Sequence, residues 1–108
     1  MQDMNTSPAE ARQKIVDTIY SKIEEMISHG HYDEALNAFN GLFQHSDHSF
    51  YKAKHAACLS FAGLHIESAE QYFSIQDYEL AAKEYNIFLE AHKKLPMKKK
   101  IEILEQIN

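Results

Sequence analysis

Between Ile15 and Ile27 the apolar side chains recur at the three- and four-residue steps of a helix. Ile15, Val16, Ile19, Tyr20, Ile23, Met26 and Ile27 fall on one stripe, with polar residues between them. The same period returns over Tyr32 to Phe43 through Tyr32, Ala35, Leu36, Phe39, Leu42 and Phe43. It returns over His48 to Ala62 with the small cluster Ala53, Ala56, Ala57 and Cys58, and over His65 to Ile75 with Ile66, Ala69, Tyr72 and Phe73. A fifth stripe runs from Asp77 to Lys94 through Tyr78, Ala81, Tyr85, Phe88 and Leu89, and a sixth comes after Pro96 through Met97, Ile101, Leu104 and Ile107. No stretch alternates with the period of a strand, and Val16 is the only valine. The pattern predicts an all-α chain of about six helices.

The punctuation agrees. Ser7-Pro8-Ala9-Glu10 reads as a capping box that opens the first helix, with Pro8 where its missing donor costs nothing. Gly30 suits the left-handed residue after that helix, and Gly63 closes the third. The polar run from Gln44 to Ser49 is a loop in which Ser46 or Asp47 caps the third helix. Lys93 and Lys94 suit the negative end of the fifth helix. Short connections pair successive helices into three stacked antiparallel hairpins, 8–45, 48–75 and 77–107, in one domain spanning 1–108 with a flexible start at 1–6.

One segment is repeated. Gly30-His31-Tyr32-Asp33-Glu34-Ala35 with Phe39 returns 34 residues later as Leu64-His65-Ile66-Glu67-Ser68-Ala69 with Phe73, so that His31 pairs with His65, Ala35 with Ala69 and Phe39 with Phe73. A fixed period of that length in a helical sequence marks helix-turn-helix repeats that stack side by side. A third motif-like stretch, Asp77-Tyr78-Glu79-Leu80-Ala81 with Tyr85, comes out of phase. Either the match is accidental or a shortened connection leads into a degenerate third hairpin, and the second reading is adopted.

On these residues the chain resembles the tetratricopeptide repeat family, over residues 16 to 94. It departs from the family at Ile23, where a small residue is usual, and at Asp47, where a proline is usual. The resemblance implies a right-handed superhelix in which Phe39 and Phe73 fill the space between hairpins. It further implies a concave face lined by Tyr20, Glu24 and Ile27, then Tyr51, Lys54, Cys58 and Phe61, then Tyr85 and Leu89. Asp17 would line the same face, as part of the first set. Small acidic proteins of three such hairpins look like the type III secretion chaperones that hold needle subunits. That similarity implies a cytoplasmic protein which sequesters the amphipathic helix of a secreted subunit in an apolar groove, with a co-chaperone. A carboxylate clamp, as in members that bind chaperone tails, needs Lys and Asn where this chain has Tyr20 and Glu24.

Composition narrows the classes. The chain has 108 residues, enough for one modest core, and is 44% apolar, which argues against disorder. Its net charge is −5, and because five lysines face only Glu102 and Glu105 after residue 92, the rest carries −8. An acidic body repels phosphate backbones, so nucleic acid is not the expected partner. No apolar run has the length of a membrane span, no signal-peptide pattern opens the chain, and the single cysteine, Cys58, excludes an internal disulfide. A reducing, cytoplasmic setting is the expectation.

Chemistry is expected to be absent. The seven histidines, His29, His31, His45, His48, His55, His65 and His92, show no metal-ligand spacing with Cys or carboxylate partners, so neither a metal nor a cofactor is expected. Cys58 and His55 are three apart on one helix, but a thiolate nucleophile needs an orienting group and an oxyanion donor as well. The expected role is therefore a non-enzymatic chaperone or adaptor, Cys58 being read as a small apolar filler and the lysines from Lys93 to Lys100 as a solvated junction. The alternative is a homo-oligomer whose first or sixth helix packs on its own copy.

Overall fold

The computed structural model describes residues 7–93, 101–102 and 104–106 and is all-α, with no strand among them. Its helices are α1 (Pro8–Ser28), α2 (Tyr32–Phe43), α3 (Ser49–Phe61), α4 (His65–Ser74) and α5 (Tyr78–Ala91), followed by helical residues at 101–102 and 104–106. Met97 and Ile107 of the expected sixth stripe, and Pro96 before it, lie outside the described residues. Ile101 and Leu104 are exposed.

The ends of the helices follow from local chemistry. The Ser7 hydroxyl accepts the Glu10 amide at 3.1 Å, with Pro8 at the first helical position. Asp77 caps α5 by accepting the Leu80 amide at 3.2 Å. The loop before α3 is capped differently from expectation: the His48 ring, through Nδ1, accepts the Phe50 amide at 3.1 Å, while Ser46 accepts the His48 amide at 3.3 Å. Two helices end alike. His29 donates from Nδ1 to the Glu25 carbonyl at 2.8 Å, and His92 donates to the Phe88 carbonyl at 2.9 Å, so each ring adds a second donor to a carbonyl that already accepts the same residue's amide at the helix end.

Three turns share one backbone device. After α1, α3 and α4 the amide of the residue before the next helix donates five residues back: His31 to Met26 at 2.8 Å, Leu64 to Leu59 at 2.9 Å and Asp77 to Tyr72 at 2.9 Å. Each requires a left-handed residue just before it. Gly30 and Gly63 supply it at φ 75 and 82, whereas Gln76 does so at φ 65 without the freedom of glycine.

The chain divides into two compact units, Met1–Tyr51 and Lys52–Asn108. In the first unit α1 packs on α2. Val16 and Ile23 from α1 and Ala35, Phe39 and Leu42 from α2 are buried, as their periodicity predicts. Ile15, on the same predicted stripe, is 46% exposed, because a stripe seven residues deep is wider than the face that one partner helix covers.

In the second unit Ala56 of α3, Tyr72 of α4 and Ala81 of α5 form the centre, with Ile75 and Tyr85 packed against it. Ser68 donates to the Ala56 carbonyl at 2.7 Å, which requires α3 and α4 to approach closely at small residues. The contacts of Ala56 with Ser68 and of His55 with Gln71 run in opposite senses along the two helices, so α4 returns antiparallel to α3. Phe73 and Tyr78, both expected inside, are 57% and 55% exposed. They sit at the far end of α4 and the start of α5, beyond the small-residue crossing, and their rings turn to each other edge-to-face at 5.1 Å.

Candidate functional site

The residues expected on a concave face do not all reach a surface. Cys58 is fully buried, so it fills the core of the second unit and offers no thiol outward. Tyr85 packs against the Ala56–Tyr72–Ala81 centre; burial, with Glu70 of α4 nearby, pushes its hydroxyl above the ordinary 10.0. Leu89 and Ile27 are half-buried, and Glu24 and Lys54 are exposed. Phe61, at 62%, is the most exposed large apolar side chain among the described residues.

What the structure does bring together lies in the first unit. Tyr20 meets Tyr51 at a ring-centroid distance of 5.3 Å, and Phe50 touches both, at 5.7 Å from Tyr20 and 5.3 Å from Tyr51, every contact being edge-on. Such geometry suits the aromatic quadrupole, the positive edge of one ring meeting the negative face of the next. His48 adds an edge-on contact with Tyr51 at 6.4 Å. Burial, then Glu24, then Tyr51 push the Tyr20 hydroxyl above 10.0, so it remains a neutral donor throughout the physiological range. The Gln13 amide nitrogen, on α1, donates to Asp17 at 2.8 Å and to the Tyr51 hydroxyl at 3.4 Å.

Beside these rings is an open cavity of about 340 Å³ lined by Gln13, Ser46, His48, Phe50 and Tyr51. Phe50, 49% exposed, is the most exposed member of the trio, Tyr20 and Tyr51 being half-buried. Tyr20 and Tyr51 are legible from the repeat register. Phe50 and His48 are not, because both sit where a loop was expected to pass into a helix.

A second cluster is polar and lies in the second unit. Glu84 of α5 is 6% exposed, and its carboxylate accepts from His65 Nδ1 at 2.8 Å and from the Ser60 hydroxyl at 3.1 Å. The carboxylate stands between hydroxyl and imidazole. The serine proton therefore points at Glu84 and not at the ring, and the trio ties α3, α4 and α5 together at the cost of burying one carboxylate. The two charge-assisted bonds offset that cost. Beside it, the Gln71 amide nitrogen donates to His55 Nδ1 at 3.0 Å, and the Ser74 hydroxyl, which lies 2.6 Å from the Gln71 main-chain carbonyl, is 3.0 Å from the Gln71 side-chain oxygen. Burial pushes His55 below its ordinary 6.5, in keeping with an Nδ1 that accepts.

Thus His29, His48, His55, His65 and His92 each hold a helix end or a neighbouring helix. Among the described residues no group of three or more His, Cys, Asp or Glu is placed to hold a metal ion. No helix described is long and apolar enough to cross a membrane. Searched against family models, curated proteins and solved structures, the chain matches none of them.

Proposed function

We propose that this chain is a non-enzymatic protein-binding module of tetratricopeptide-like hairpins, a chaperone or adaptor that takes the apolar face of a partner helix. The observation that carries the reading is Phe50, half-exposed at the edge of a cavity while packed edge-on against Tyr20 and Tyr51. Rigid aromatic side chains held by their neighbours are the residues that dominate protein–protein affinity, because little freedom is lost when they are covered. A helical segment that presents side chains at i, i+3, i+4 and i+7 fits a surface of this kind. Phe61 in the second unit offers a further anchor. Within this reading the client is a secreted subunit of the type III kind, held in the cytoplasm.

The test is quantitative co-purification from the native cell with the parent chain, Phe50→Glu and Phe61→Glu, each checked by thermal melting. Partner binding is expected to fall by about 2 kcal/mol or more in Phe50→Glu, with the melt unchanged. An unfolded Phe50→Glu, or a variant that retains the partner fully, contradicts the assignment.

A second reading rests on Ile101 and Leu104, which are 47% and 42% exposed on helical residues near the C-terminus. They would suit a homo-oligomer without a foreign client. Sedimentation at several concentrations separates the two, since self-assembly raises the mass with no partner added.

A further inference from the structure

The α4–α5 turn of the second unit presents two large aromatic side chains outward together. Phe73 and Tyr78, 57% and 55% exposed, meet edge-to-face at 5.1 Å. The backbone fixes their relation. The Asp77 amide donates to the Tyr72 carbonyl at 2.9 Å, and the Asp77 carboxylate accepts the Leu80 amide at 3.2 Å. A pair held in place before any partner arrives loses little freedom on binding.

Along α4 and the first turn of α5, the elements that carry the pair, the charge is of one sign. Glu70 lies one turn before Phe73 on α4, Asp77 and Glu79 flank Tyr78, and from His65 to Ala82 there is no Lys or Arg. The first cation, Lys83, comes five residues after Tyr78 and so lies well round α5 from it. Aromatic faces and carboxylates attract the same kind of group. An ammonium or guanidinium gains from the ring quadrupole and from the acidic rim together.

From this we infer that the α4–α5 turn is a docking surface for a basic amphipathic segment of a partner protein. An apolar side chain of that segment sits on Phe73 and Tyr78, and its lysines or arginines face Glu70, Asp77 and Glu79. The surface is distinct from the aromatic trio of the first unit and stands whether or not that trio binds a client.

The test is a fluorescence-anisotropy titration of the full chain with a labelled helical peptide of about 18 residues built from Leu and Lys, against the same peptide with Glu in place of Lys. The parent is expected to bind the Lys peptide and not the Glu peptide. Phe73→Ala combined with Tyr78→Ala should weaken that binding about tenfold or more. Glu70→Gln combined with Glu79→Gln should weaken it and flatten its dependence on salt. All four positions are exposed, and circular dichroism checks that each variant is folded. Equal affinity for the two peptides would overturn the inference, and so would a parent that binds neither, as a face already covered by the chain's own C-terminal residues would. Loss of binding in Phe50→Ala with retention in the Phe73, Tyr78 pair would put the peptide on the first unit and overturn it likewise. A concentration-dependent mass that the pair variant abolishes would make a second copy the occupant, with the same consequence.

Discussion

Phe39 and Phe73 hold the same place in the 34-residue repeat, yet the first is fully buried and the second is 57% exposed. His31 and His65 differ in the same direction. His31 stands 4.0 Å from Glu34 with both side chains open to solvent, whereas His65 donates to a nearly buried Glu84 at 2.8 Å. The first unit buries large apolar side chains, Phe39, Ile23, Leu42 and Val16, while the largest fully buried side chains of the second are Cys58 and Ser68. One repeated sequence pattern thus supports two kinds of interior. Where the helices cross at small residues they come close enough for Ser68 to reach a backbone carbonyl, Tyr72 is the one large aromatic at the centre, and Phe73 and Tyr78 are left outside.

The sharpest way to break this contrast is to truncate the two phenylalanines in turn. Phe39→Ala should destabilise the fold by about 3 to 5 kcal/mol, the range for emptying a buried aromatic site, and Phe73→Ala by less than about 0.5 kcal/mol, as for an exposed position. Urea denaturation of both reads the difference. Equal losses would mean that the repeat positions are equivalent after all.

Next in size is the polar interior. Glu84→Ala leaves Ser60 and His65 without their acceptor and should cost about 1 to 3 kcal/mol, while His31→Ala, which removes solvent-exposed contacts with Glu34 at 4.0 Å and with the His29 ring at 6.1 Å, should stay within about 0.5 kcal/mol of the parent. A Glu84→Ala variant as stable as the parent would leave the second unit without the support assigned to it.

Acid should act through His55. Its folded-state value lies below 6.5, so the unfolded chain takes up the proton first as the pH falls. The contribution to stability is complete above 6.5 and is lost as the pH drops below it. Denaturant midpoints measured across that window should fall more steeply for the parent than for His55→Gln, and parallel curves would exclude His55 as a source of the slope. The smallest effect is expected at the turn. Gln76→Gly relieves a left-handed residue that has a Cβ and should raise stability by about 0.5 to 1 kcal/mol, against a loss for Gly30→Ala at the equivalent turn.

Helix positions were legible because each depends on nearby residues. Ser7, Gly30, Gly63 and Asp77 act where sequence reading places them, and the left-handed Gln76 shows that the out-of-phase stretch at Asp77 follows the same turn as the other two. The burial of Ala35, Phe39 and Ala69 was legible from the repeat. Phe73 and Tyr78 were misplaced, because a helical stripe tells which side is apolar and not how much of it a neighbour covers. Glu84 gave no signal at all: an acidic residue within an amphipathic helix reads as solvated, and only the arrival of Ser60 and His65 from two other helices makes its burial tolerable. The aromatic trio was half legible, since Tyr20 and Tyr51 follow from register while Phe50 depends on where α3 begins.

The most direct measurement compares Phe50→Glu with Phe39→Glu for both melting and retention of the native partner. The expected result is a Phe50→Glu chain that melts like the parent and has lost its partner, beside a Phe39→Glu chain that does not fold. A Phe50→Glu chain that holds the partner as tightly as the parent, or a parent from which no partner is recovered, would contradict the binding role of the Tyr20–Phe50–Tyr51 face.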